Sequence, residues 1–239
     1  MTIQRCLFLA VLTLSLCVAS SASAQRRFSG GFFGGGQSLV RLSVNEAVQK
    51  ELGLSEEVTT KLTALNEEFT AASQKALQDA GLDFRNFGKM SEEERQNLAA
   101  KMTEVNTKVQ GEINTKLKAI VSADQYKRLG EIQLQANLLN QGPLALTATA
   151  IATELKLTDE QKKKLTDLAT EYAAKQRELR MGGTVDAEAM NKLREEQTTK
   201  TVEVLAAEQK TKLETLKGKA FDVSTFGVRG GRGGRGRTN

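Results

Sequence analysis

Ten positions between residues 48 and 69 return between residues 151 and 172 at a constant offset of 103, and this return restricts the fold more than any other feature of the chain. Val48, Glu51, Leu52, Leu54, Ser55, Glu57, Leu62, Leu65, Glu68 and Phe69 correspond to Ile151, Glu154, Leu155, Leu157, Thr158, Glu160, Leu165, Leu168, Glu171 and Tyr172. A second echo, at an offset of 84, pairs Ala123-Asp124-Gln125-Tyr126-Lys127-Arg128-Leu129 with Ala207-Glu208-Gln209-Lys210-Thr211-Lys212-Leu213. Spacing kept through paired segments marks a repeated structural unit. The chain is expected to be a duplicated helical module.

The ends carry a different message. Arg5, the apolar run from Leu7 to Ala19 and Ala22-Ser23-Ala24 before Gln25 have the layout of a secretory signal peptide cleaved after Ala24. The run is shorter than the roughly 20 residues a membrane-spanning helix needs. Cys6 and Cys17 both lie in that segment, so the mature chain is expected to hold neither disulfide nor thiol nucleophile. Leu16 is bulkier than the residue that normally precedes a lipid-attachment cysteine, which argues against that role for Cys17. A periplasmic or secreted protein is expected.

The formal charge of +5 is unevenly spread. Arg5, Arg26, Arg27, Arg41, Arg229, Arg232, Arg235 and Arg237 are eight of the 34 basic residues, and all 29 acidic residues lie between Glu46 and Asp222. The remainder has 26 basic against 29 acidic side chains, a charge of −3. Basic character is therefore assigned to two glycine-rich tails: QRRFSGGFFGGGQ from Gln25, and GVRGGRGGRGRTN from Gly227. Such compositions cannot bury enough surface to offset ordering entropy.

Between the tails Ala, Leu, Glu, Lys, Gln and Thr dominate and Pro143 is the only proline, which favours helix over sheet. Val58, Leu62, Leu65, Phe69, Ala72 and Ala76 recur at steps of four and three, drawing one apolar stripe that resembles a coiled-coil seam. Leu98, Met102, Val105, Val109, Ile113, Leu117 and Ile120 draw a second, Leu165, Leu168, Tyr172 and Leu179 a third, and Leu213, Leu216 and Phe221 a fourth. Gly81 to Gly88 and Met181 to Thr184 are the expected turns within two hairpins, and Gln141-Gly142-Pro143 is the joint between them. The expected fold is all-α, two tandem helical-hairpin repeats of long amphipathic helices with disordered Gly/Arg-rich tails. Its divisions are a signal peptide over 1–24, a Gly-rich disordered segment over 25–42, helical repeats over 43–141 and 142–226, and an Arg-Gly-rich tail over 227–239. In each repeat the second long helix is either continuous or broken before Gln125 or Gln209.

Thr158 with Gln161 forms a capping box, in which the hydroxyl accepts from the N3 amide and the glutamine returns to the cap residue's own N–H. Ser122 with Gln125 and Ser91 with Glu94 fit the same pattern. At Ser55 the box is incomplete because Val58 takes the N3 place, and at Ala206 the cap residue is missing, which allows a continuous helix there. Leu157-Thr158-Asp159-Glu160-Gln161, with the weaker Val121 to Gln125 and Leu205 to Gln209, resembles the LTXXQ motif of the Spy/CpxP-like proteins of the bacterial envelope. Leu157, Thr158 and Gln161 match that motif fully. The resemblance implies an all-helical periplasmic protein, often a curved antiparallel dimer, that acts as an ATP-independent chaperone or a stress-signalling accessory. The duplicated body and the Gly/Arg tails depart from that group.

Composition removes most chemistry. Histidine and tryptophan are absent, so the usual zinc and copper ligand sets are missing and Ser-His or Cys-His nucleophilic catalysis is excluded. The scattered Met90, Met102, Met181 and Met190 read as packing or surface residues. The carboxylate runs Glu67-Glu68 and Glu92-Glu93-Glu94 read as solvated helix faces. No enzyme activity, metal or cofactor is expected. Phe84 and Phe87, in the turn of the first hairpin, are candidate client contacts, although plugging the hairpin end is the plainer role. Arg229, Arg232, Arg235 and Arg237 are candidate contacts to polyanions such as envelope polymers or nucleic acid, and an inert solubilising tail is the plainer reading. The expected function is client binding through amphipathic helix faces, with unfolded or envelope proteins as partners and a homodimer left open. The alternative is a structural protein attached to anionic envelope polymers through its tail.

Overall fold

The computed structural model describes residues 37–81, 90–181 and 186–226, and every regular element among them is helical. The expected signal peptide, the glycine-rich stretch before Gln37, residues 82–89 and 182–185, within which the two turns are expected, and the residues after Phe226 lie outside the described residues. Among the described residues no helix is long and apolar enough to cross a membrane.

Helix α1 (Leu39–Ser43) leads into α2 (Glu46–Glu51), α3 (Glu56–Asp79), α4 (Glu92–Ile120) and α5 (Ala123–Gln141). Then α6 (Leu144–Thr147), α7 (Thr149–Glu154), α8 (Asp159–Met181), α9 (Ala187–Glu203) and α10 (Ala207–Lys217) follow, and a 3₁₀ turn occupies Val223–Phe226. The second long helix is broken in both halves, before Ala123 and before Ala207. A continuous helix at Ala206 is therefore ruled out. Ala206 is extended, at φ −67° and ψ 162°, and its N–H is taken by the Gln209 side chain at 2.8 Å, so the break stands without a cap hydroxyl.

Each long hairpin starts from the same local geometry. After α2, Gly53 turns left-handed at φ 58°, the Leu54 N–H reaches the Gln49 carbonyl, and Ser55 caps α3. After α7, Lys156 takes the left-handed place at φ 51°, Leu157 reaches Ala152, and Thr158 precedes α8. Both are helix stops in which the sixth residue's N–H returns to the first residue's carbonyl.

The apolar stripes bury as two cores. Leu62, Leu65 and Phe69 of α3 meet Val109, Ile113 and Leu117 of α4. Leu39, Val40 and Leu42 of α1 close that first core. This corrects the sequence expectation that residues up to 42 form a disordered tail, because Leu39, Val40 and Leu42 are too apolar to stay in water once an open core edge is offered. Arg41 accordingly belongs to the helical body, its guanidinium 5.4 Å from the centre of the Phe69 ring. The second core gathers Leu146, Ala152, Leu155, Leu157, Leu165, Leu205 and Leu213.

Helix α5 serves both cores. Leu129 and Ile132 point into the first, and Leu134 into the second. Positions two apart on a helix face nearly opposite sides, so one helix can be buried from two directions. A correction concerns the fourth stripe. Helix α10 ends at Lys217 and Gly218 turns the chain at φ 60°, so Phe221 does not continue the line of Leu213 and Leu216. Phe221 and Phe226 stack at 5.5 Å and pack against the first core, although sequence placed them in the second repeat.

Candidate functional site

The motif residues sit at helix starts. Thr158 N–H donates to Gln161 Oε1 at 3.1 Å, and Gln161 N–H donates to Thr158 Oγ1 at 3.1 Å. Ser122 and Gln125 exchange the same two bonds at 3.0 and 3.2 Å, while Leu157 is buried in the second core. Each box satisfies two of the amides a helix N-terminus leaves unpaired. In the first half Val58 N–H donates to Ser55 Oγ at 3.4 Å and no side chain returns from position 58.

The glutamines do more than cap. Gln161 Nε2 donates to Gln209 Oε1 at 2.7 Å, and Gln209 Nε2 donates back to Gln161 Oε1 at 3.0 Å. Gln161 also donates to the Val204 carbonyl before α10, and Gln209 to the Leu155 carbonyl before α8, at 3.0 and 3.1 Å. With the cap amides of Thr158 and Ala206 on their oxygens, both side chains use all four of their hydrogen-bonding positions. The starts of α8 and α10 are thereby clasped together. In the first half Gln125 makes the equivalent bond to the Leu52 carbonyl at 3.1 Å, but Val58 replaces its would-be partner and packs against the core instead.

Helix α5 carries a second set of amides, and these bond to main chain at Gln37 and at and beyond the end of α10. On one side Asn137 Oδ1 accepts from the Gln37 N–H at 3.0 Å, and Gln133 Nε2 donates to the Gln37 carbonyl. On another, Gln135 Nε2 donates to the carbonyls of Lys217 and Lys219 at 2.7 and 2.9 Å, and its Oε1 accepts from the Phe221 N–H at 2.9 Å. Arg128 adds a bond from Nη1 to the Lys219 carbonyl at 2.7 Å. The same guanidinium pairs with Glu51 at 2.7 Å and Glu131 at 2.9 Å, and both Arg128 and Glu131 are only about 15% exposed. Two ends of the helical body are thus fastened to one helix by side chains that read backbone rather than side-chain identity.

The shifted carboxylates elsewhere lie on wet helix faces. Glu46, Glu57 and Glu160 are held below the usual carboxylate range by Lys50, Lys61 and Lys164 one turn on, and Glu94 by the Ser91 amide it caps. Hydrogen bonding to Glu171 raises Lys175. Burial pushes the Tyr172 hydroxyl up to about 12, with the Glu196 carboxylate adding to it. These shifts run away from neutrality, whereas a general acid or base needs a pKa near working pH. A small cleft between α5, α9 and α10 is lined by Leu138, Thr201, Val202 and Leu213, and its charged pair, Lys217 and Glu214, is engaged with itself at 2.9 Å.

Phe84, Phe87, Arg229, Arg232, Arg235 and Arg237 lie outside the described residues. The α5 amides and Arg128 were not singled out by the sequence, although a signal was present in the two echoes. Arg128 corresponds to Lys212 and Glu51 to Glu154, and Lys212 pairs with Glu154 at 3.2 Å as Arg128 pairs with Glu51. Opposite charges kept at matching places in both halves pointed to that contact. Comparison of the chain with protein-family models, with curated proteins and with solved structures finds no match.

Proposed function

We propose that the protein is a non-enzymatic helical protein of the periplasm or the secreted space, built by tandem duplication of a helical-hairpin unit, that binds partly unfolded clients without ATP. The observation that carries this reading is the α5 surface, where Gln133, Gln135, Asn137 and Arg128 hold main chain beside an apolar core. Side chains that bond to carbonyls and amides accept many sequences, which is what a binder of unfolded segments requires. The LTXXQ-like motif and the signal-peptide layout support the same reading, and the absence of histidine removes the commonest catalytic alternatives. In a heat- or reduction-stress aggregation assay without ATP, stoichiometric protein should suppress light scattering by the client. No suppression at several-fold excess would defeat the proposal.

A second reading is favoured by the separation of charge, with arginine concentrated after Gly227 and a body that, with Arg41 counted in it, has 27 basic against 29 acidic side chains, a charge of −2. In it the helical body is a spacer and the tail grips anionic polymer. Deleting residues 227–239 should then abolish salt-sensitive retention on envelope material. Unchanged retention would reject the tail as an anchor.

A further inference from the structure

The end of α10 and the irregular segment after it, which bends at Lys219 and closes in the 3₁₀ turn Val223–Phe226, show how main chain sits on α5. Gln135 grips it through three main-chain bonds, to Lys217, Lys219 and Phe221, and Arg128 through one, to Lys219. Phe221 and Phe226, five residues apart, lie stacked on the first core and remain partly exposed. The segment between Gly218 and Val223 belongs to no helix, and those side chains and two rings contribute to its attachment. Gly218, at φ 60° and ψ −152°, is the pivot that lets the chain leave the α10 axis. Nothing in these contacts reads the side chains of Lys217, Lys219 or Ala220.

We propose that this face of α5 is a groove for irregular polypeptide carrying two aromatic residues about five positions apart, and that residues 217–226 occupy it in cis as a competitor. The occupant in function is a client segment of that chemistry, so the proposal rests on the client-binding reading and specifies where the client sits. Four main-chain bonds fix the direction and register of the bound chain, and the two rings supply burial. A tethered competitor holds the groove at high effective concentration, so an external peptide meets only the fraction of molecules whose segment is released. Its apparent affinity is lowered by that fraction. Weakening the tethered segment should therefore strengthen binding of the same peptide added from outside.

The test uses the full chain and a fluorescent peptide reproducing residues 217–226, with binding read by anisotropy. The Phe221→Ala/Phe226→Ala double variant should bind the peptide at least tenfold more tightly than the parent, and adding Gln135→Leu should remove that gain. A double variant that keeps its helical circular dichroism and cooperative melt without binding more tightly overturns the proposal. Doubling of mass with peptide unbound also overturns it, because the groove then serves exchange between copies. Should the double variant fail to fold, hydrogen exchange on the parent decides. A Phe221 amide exchanging at least a hundredfold faster than the amides of Leu129 and Ile132 supports a releasable segment, and equal protection overturns it. Peptide binding without suppression of client aggregation would defeat the client reading alone, and suppression without peptide binding would defeat the groove alone.

Discussion

Gln161 and Gln209 exchange two hydrogen bonds through their side-chain amides, at 2.7 and 3.0 Å, while each caps its own helix and reaches the carbonyls before the other's. The pair converts two helix starts into one unit. Removing either side chain leaves the other with unmet donors and acceptors, a loss of about 1–3 kcal/mol. Gln161→Leu and Gln209→Leu should each destabilise by about 2 kcal/mol in urea melts. The double variant should fall short of additivity by about 1 kcal/mol. Strict additivity would show that the two amides act separately.

Lys156 and Gly53 occupy equivalent left-handed positions, at φ 51° and 58°. A side chain there costs about 1–2 kcal/mol relative to glycine. Nothing lies within 4 Å of a Cβ built on Gly53, so at that site the cost is conformational alone. Lys156→Gly should stabilise the protein by about 1 kcal/mol, and Gly53→Lys should destabilise it by a similar amount. Thermal melts of both variants moving in the same direction would contradict the equivalence.

Arg128 and Lys212 are paired positions of the second echo but carry different loads. Lys212 makes one ion pair, with Glu154, and both groups are about half exposed, so Lys212→Ala should cost no more than about 0.5 kcal/mol. Arg128 binds Glu51, Glu131 and the Lys219 carbonyl at once, a geometry that a lysine ammonium cannot reproduce. Arg128→Lys should cost about 1–2 kcal/mol and speed hydrogen exchange over residues 218–226. Equal costs at the two positions would remove Arg128 from its role in holding the segment.

Local signals explain what could be read in advance. Stripes at steps of three and four, glycines at chain reversals and Ser/Thr-x-x-Glu/Gln pairs act over a single turn of helix, and they made the helical class and the starts near Ser91, Ser122 and Thr158 legible. Helix α1 and the segment from Gly218 to Phe226 were not legible. Each is short, and each is fixed by what it touches rather than by its own periodicity: Leu39, Val40 and Leu42 by an open core edge, Phe221 by Gln135 and the first core. Phe221 happens to follow Leu213 and Leu216 at near-helical spacing, so periodicity carried the helix too far. Gly218 directly after Lys217 was the stop signal, a glycine behind a basic last turn. The role of Gln161 was half legible: its capping bond is local, but its bond to Gln209 spans 48 residues.

Gly218 is constrained twice. Its φ of 60° with ψ of −152° falls in a region almost confined to glycine, and an added Cβ would run into the Glu131 carboxylate that Arg128 holds in place. Gly218→Ala should cost at least about 2 kcal/mol. It should also release the following segment, read as increased acrylamide quenching in a variant carrying tryptophan at Phe226. Gly81, at φ 64° with no atom within 4 Å of a Cβ, is the control, and its substitution should cost about 1 kcal/mol. Comparable costs at both glycines would mean that contact with Glu131 contributes nothing.

Tyr172 sets an alkaline limit on stability. It is about 1% exposed, and burial, reinforced by Glu196, raises its hydroxyl to about 12, against an unfolded value near 10. Below pH 10 both states keep the proton, and the neutral phenol contributes its full stabilisation. Between pH 10 and about 12 the unfolded chain loses the proton while the native chain retains it, so stability falls as pH rises. Tyr172→Phe removes this titration and leaves Tyr126, also raised by burial, as a term common to both proteins. Urea melts from pH 8 to 11.5 should show the parent losing stability faster than the variant above pH 10. Parallel curves across that window would place the Tyr172 hydroxyl in contact with water.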